Sequence, residues 1–156
     1  MNREAPGDNR LFAGLDDARL ERLLEAGEVY SVSAGTVLVE EGAALEALSV
    51  IVSGTVSVYL PQTARRPAPV RLTTFTNGDC FGEYAFIDSR PASASIRAVD
   101  EVTVFRIAFR RLLELVDEDN KIGLVLYRNL LAILVERLRA ANAELDLFSG
   151  ADDEEG

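Results

Sequence analysis

The residues best placed to do chemistry lie between Gly78 and Ile96, in the run Gly-Asp-Cys-Phe-Gly-Glu-Tyr-Ala-Phe-Ile-Asp-Ser-Arg-Pro-Ala-Ser-Ala-Ser-Ile. Gly82 and Glu83 open a short helical stretch, Tyr84 to Ile87, directly after a strand end and a turn. A helix start leaves backbone N–H groups without intrahelical partners at the positive end of the peptide dipoles, which is a seat for an anionic phosphate. Gly82 lets a ligand approach the backbone closely. Glu83 can accept hydrogen bonds from a sugar hydroxyl, and Ser93 and Ser95 offer hydroxyls where the chain returns to a strand. The same residues also read as a glycine-led turn into one helical turn with ordinary caps, and spacing alone leaves both readings open.

The elements that must position this segment are legible from periodicity. Leu11, Phe12, Leu15, Leu20, Leu23 and Leu24 have helical spacing; Asp16 and Asp17 predict a helix start near Ala18, and Gly27 ends it. Between Val29 and Ile107 the texture becomes β-branched. The predicted strands are Thr36–Val39, Leu48–Val52, Thr55–Leu60, Val70–Phe75, Ala94–Val99 and Val102–Ile107, and the turn pairs Ala34-Gly35, Glu41-Gly42, Ser53-Gly54 and Asn77-Gly78 punctuate them. This spacing predicts an antiparallel sandwich or barrel. Pro61 to Pro69, with Arg65 and Arg66, reads as an exposed connector. Helical period returns after Ile107. A short helix spans Phe109 to Val116, the polar run Asp117–Asn120 breaks it, and a long helix runs from about Lys121 to Phe148. The first half of that helix is apolar nearly all round, so it must be covered on more than one side, and a second copy of the chain is an expected partner.

Composition removes several classes of function. The 156 residues fit one domain with one core, and 48% of them are hydrophobic. Acidic residues outnumber basic ones 26 to 16, for a formal charge of −10. That disfavours nucleic acid, whose binding is driven by Lys and Arg neutralising phosphates, and it disfavours an anionic membrane surface. No apolar run approaches the roughly 18 residues of a membrane span, and Met1–Arg10 has no signal-peptide stretch. The single Cys80 cannot form an internal disulfide, so a cytoplasmic location is expected. There is no histidine, which removes Ser-His-Asp and Cys-His catalysis and every His-based metal site. No carboxylate pair stands at a meaningful spacing. The expectation is a protein that is not an enzyme and needs no cofactor or metal.

The segment Phe81-Gly82-Glu83 through Arg90-Pro91-Ala92-Ser93-Ala94-Ser95 resembles the phosphate-binding cassette of cyclic nucleotide-binding domains, as found in bacterial catabolite activators, regulatory kinase subunits and gated channels. The likeness extends from about Leu11 to Asn142. Leu11–Leu15 resembles the opening helix of that family, Ala34–Leu38 with Glu41-Gly42 its first hairpin, and Val50–Val56 a characteristic strand-turn-strand; five glycines fall in order. The resemblance implies an α+β fold: an antiparallel double-stranded β-helix, or jelly-roll-like β-roll, flanked by an N-terminal helix and by C-terminal B and C helices. It implies a flexible start at 1–10, the domain proper at 11–148 and a disordered acidic tail at 149–156. It also implies a ligand site made of Phe81, Gly82, Glu83, Tyr84, Ala85, Arg90, Pro91, Ala92, Ser93 and Ala94. Gly82 and the N–H groups of Glu83 to Ala85 would meet a cyclic phosphate, and Glu83 the ribose 2′-hydroxyl. Ser93 stands where some cGMP-preferring members carry a threonine. The C-terminal helix would close over the base, with Asn142 its one amide near that lid.

One position departs from the family. Its phosphate-binding arginine falls on Ala92. A charge-assisted contact of that kind is worth roughly 1.5–3 kcal/mol, a ten- to hundredfold loss of affinity. Arg90, two residues earlier, and Arg97, on the following strand, are the candidate substitutes. Two functions follow as expectations. One is a stand-alone regulatory module of bacterial type that binds cAMP or cGMP at 78–96 and signals through its C-terminal helix to an effector protein. The other is a degenerate member that binds no cyclic nucleotide and serves as a ligand-independent dimerisation or interaction module. With the chain ending soon after Phe148, no helix-turn-helix, kinase or channel is expected on it, and a homodimer through the last helix is.

Overall fold

The computed structural model describes the backbone of residues 5–152 and the side chains of residues 5–147. Eight strands form two four-stranded antiparallel sheets. The first sheet has the order β1 (Glu28–Val32), β8 (Val102–Ala108), β3 (Ala47–Ser53), β6 (Cys80–Phe81). The second has the order β2 (Val37–Val39), β7 (Ser95–Ala98), β4 (Val56–Leu60), β5 (Val70–Phe75). Four helices accompany them: α1 (Asp17–Glu25), α2 (Glu83–Asp88), α3 (Phe109–Glu118) and α4 (Asn120–Asp152). The expected α+β β-roll with flanking helices is the fold observed.

The run Leu48–Val52 is apolar at four of its five positions because both faces of β3 are covered. Leu48, Val50 and Val52 point to the helices and pack with Leu23, Phe105, Ile107, Leu112, Leu115, Leu126 and Leu130. Ile51 points into the roll, where it meets Val39, Val56, Val58, Phe81, Ile96 and Val104. The two-residue period of a strand thus divides one segment between two cores. β3 and β4 are consecutive but belong to different sheets, as are β7 and β8. The two corners interlock: Thr55 N–H donates to Asp100 Oδ1 at 2.8 Å, and Val99 N–H donates to the Thr55 carbonyl at 2.9 Å. Gly54 makes that approach with φ 93°; a Cβ there would stand 2.4 Å from the Glu101 carbonyl oxygen.

Several boundaries differ from expectation for local reasons. Leu11–Leu15, expected to be helical, is a series of turns. Asp16 starts the helix where its type and place led one to expect, its Oδ1 accepting from Arg19 N–H at 2.9 Å. The turns are held from α4, where Asn129 Nδ2 donates to the Leu11 and Ala13 carbonyls at 2.9 and 2.8 Å. Two strands went unpredicted. β1 is an edge strand of mixed Glu-Val-Tyr-Ser-Val composition, and β6 is only two residues long. Within the expected flexible start, residues 5–10 form turns in which Arg10 bonds Glu136 of α4. Residues 1–4 lie outside the described residues. α4 continues to Asp152, past the expected end at Phe148; 153–156 of the expected acidic tail lie outside the described residues. The break between α3 and α4 falls at Asp119, which receives Arg19 at 2.8 Å and Arg22 at 3.5 Å, so α1 is clamped to that joint.

Candidate ligand site

β6 pairs with β3, Phe81 opposite Ser49 and Cys80 opposite Val50. This delivers the next residue hard against β3. Gly82 has φ 86°, and a Cβ on it would lie 2.6 Å from the Ala47 carbonyl oxygen, so both conformation and space require glycine. From that turn the chain enters α2, and Glu83 at its first position points inward and is buried.

Glu83 is answered from the far end of the molecule. Arg137 of α4 donates to its carboxylate through Nη1. Its Nη2 donates to the Cys80 carbonyl at 2.8 Å, and the guanidinium lies 4.5 Å from the centre of the Phe75 ring. Burial pushes the Glu83 carboxyl above the ordinary carboxylate range, against the pull of the Arg137 charge, the Glu83 N–H and the Arg137 hydrogen bond. Burial likewise pushes the Cys80 thiol up to about 12, which makes it a packing group and not a nucleophile at neutral pH.

Around this pair lies a cavity of about 400 Å³, within the range of small-molecule sites. Of the ten expected site residues, nine line it: Phe81, Gly82, Glu83, Tyr84, Ala85, Pro91, Ala92, Ser93 and Ala94. Arg90 does not. It is exposed, and its N–H donates to Asp88 Oδ1 at 2.9 Å in the turn after α2. Arg97 does not line it either, since it faces outward with its guanidinium 5.2 Å from the Tyr59 ring centre. Ser95 is buried and accepts from Glu41 N–H at 2.9 Å, so it fastens the loop after β2 and is not among the lining residues. The loop 61–69 is pinned to the same loop by Arg66, 3.0 Å from Glu41.

The lining residues that sequence reasoning missed come from α4, expected there only as a lid with Asn142, and from β5. Arg137, Ala140, Ala141 and Glu144 line the cavity, as do Leu72, Thr73 and Phe75. Asn142, the expected lid amide, is exposed and faces elsewhere. The signal was present in the helical period. Ile122, Leu126, Leu130 and Ile133 form the buried stripe of α4, and the same stripe continues as Arg137, Ala140, Ala141 and Glu144. Where an apolar stripe changes to a cation, two small residues and an acid, the helix has passed from a core to a cavity. Among the described residues no three potential metal ligands come together.

Residues 29–119 match the family model for the cyclic nucleotide-binding domain. Among curated proteins, the chain is 32% identical over 143 residues to Glutaminase 2 of Bradyrhizobium diazoefficiens, covering 92% of this chain and 22% of the glutaminase. It is 28% identical over 110 residues to the cAMP-dependent protein kinase regulatory subunit of Blastocladiella emersonii, covering 69% and 27%. The chain thus spans between 14% and 28% of the length of these first curated relatives. Among solved structures, the catabolite activator protein of Thermus thermophilus superposes with TM-score 0.76 at 27% identity, over 90% of this chain and 63% of that one. With a model matched over more than half its residues, and with the glycine turn, the buried glutamate and the roll in place, the chain belongs to the cyclic nucleotide-binding domain family.

Proposed function

We propose that the chain is a regulatory binding module, not a catalyst, that takes a cyclic nucleotide, cAMP or cGMP, into the cavity between residues 78–96 and α4. The observation that carries this reading is the Glu83–Arg137 pair. It joins the element that would meet the ribose to the helix that would report occupancy. A ribose hydroxyl donating to Glu83 competes with Arg137 for the same carboxylate, so ligand entry changes what holds α4. In this reading an effector protein senses α4, and the kinase regulatory subunit and catabolite activator among the relatives are named for regulation.

Dimerisation belongs to the same proposal. Leu124, Leu131 and Leu138 stand seven residues apart on α4 and are 66%, 64% and 62% exposed. Seven-residue spacing of leucines is the pattern with which one helix seats on a second copy of itself. No described helix is long and apolar enough to cross a membrane.

The second reading, an interaction module that binds no cyclic nucleotide, is favoured by Ala92 and by the fact that Arg137 already satisfies Glu83. Titration calorimetry with cAMP and cGMP up to about a millimolar separates the two. Saturable heat in the native protein, lost or weakened at least tenfold in Glu83→Ala, supports the first. No heat, with an unmoved melting temperature, supports the second.

A further inference from the structure

We infer that the cavity recognises the sugar and base of its ligand and gains nothing from the ligand's phosphate charge, so that it takes an uncharged ribonucleoside at least as tightly as the matching cyclic nucleotide. The inference rests on the ribose-to-Glu83 placement proposed above.

It follows from a count of charges. Among the described lining residues there are two carboxylates, Glu83 and Glu144, and one guanidinium, Arg137. That guanidinium is committed three times over, to Glu83, to the Cys80 carbonyl and to the face of Phe75. Ala92, the residue on which the resemblance places the phosphate-binding arginine, contributes only a methyl group to the lining, and its backbone is also spent. Ala92 N–H donates to the Ala43 carbonyl at 2.9 Å, and its carbonyl accepts from Gly42 N–H at 2.8 Å. Arg90 and Arg97 lie outside the cavity, the one at the turn after α2 and the other stacked on Tyr59. An anion entering here meets the backbone N–H groups at the start of α2 but no uncommitted cation, and burial of a charge without a full counter-charge is unfavourable. It does so inside a chain of formal charge −10. A nucleoside carries no such penalty. Its diol can donate to Glu83, and its base can meet apolar lining residues such as Val39, Leu45, Leu72 and Ala140.

The test is calorimetric titration of the full chain with adenosine, guanosine, cAMP and cGMP, repeated with Ala92→Arg. The expected result is that one nucleoside binds the native protein as tightly as its cyclic nucleotide or more so. Ala92→Arg should then raise cyclic-nucleotide affinity tenfold or more relative to that of the nucleoside, the worth of a two-pronged arginine–phosphate contact. A cyclic nucleotide that binds the native chain more tightly than its nucleoside overturns the inference and leaves the proposed function standing. No binding of any of the four overturns the ribose reading itself. The native-protein comparison decides by itself if the variant fails to fold.

Discussion

Arg137 does more than balance a charge. Its side chain is 21% exposed and that of Glu83 only 5%, so the glutamate depends on it for a partner. Removing one member of a buried pair costs about 3–5 kcal/mol, and the partial exposure of Arg137 places this pair at the lower end. Arg137→Ala is therefore expected to lower unfolding free energy by about 3 kcal/mol in urea titrations at pH 7. Acidity separates the effects. The Glu83 pKa is raised in the folded state above its ordinary 4.5, so the folded chain holds that proton longer than the unfolded chain does. The resulting stability is fully present below 4.5 and is lost as pH rises through the raised folded value. Glu83→Gln should flatten that fall in a stability-against-pH series begun near 4.5; a native-like slope would show that another group titrates.

At the scale of elements, α4 has two faces of different character. One passes from core to cavity along Ile122, Leu126, Leu130, Ile133, Arg137, Ala141 and Glu144. The other carries Leu124, Leu131, Val135 and Leu138, all more than half exposed. With 33 residues the helix is about 50 Å long, enough to carry both faces. Leu131→Asp is expected to convert a dimer to a monomer in sedimentation velocity while leaving the melting temperature of the fold within a few degrees. A native chain that is already monomeric at tens of micromolar would defeat this use of the stripe. The glycine turns and the cassette were legible in the sequence because each places a demand on a single residue. Gly35, Gly42, Gly54, Gly78 and Gly82 all have positive φ. Arg137 was not legible as a site residue because its role depends on how α4 brings it back to Glu83, 54 positions earlier in the chain. The placement of Arg90 and Arg97 outside the cavity lining has the same origin. Their distance along the chain from Ala92 is short, yet a turn and a strand face direct them away from the cavity.

For the whole molecule, the two sheets are held in register where the corners at 53–55 and 99–101 meet. Each corner passes the chain from one sheet to the other, so disturbing one loosens both layers. Gly54→Ala forces a left-handed conformation costing about 1–2 kcal/mol on a side-chain-bearing residue and sets a carbon 2.4 Å from the Glu101 carbonyl oxygen. The expected outcome is a single cooperative thermal transition lowered by at least about 5 °C, read by circular dichroism. Two separate transitions would mean that the sheets fold independently. The sequence pointed to this architecture through its alternation and turns. It did not reveal that consecutive strands change sheets, because pairing partners are set by closure of the roll and not by neighbours in the chain.

The two faces of α4 have a thermodynamic consequence. A helix that is at once the wall of a cavity and the seat of a partner makes the two binding events share one free energy. If ligand shifts α4 and thereby changes the affinity of whatever grips Leu124, Leu131 and Leu138 by some factor, that partner must change the affinity of the cavity by the same factor. The protein would then be read in both directions: its occupancy reports the ligand to the partner, and its ligand affinity reports the partner's concentration.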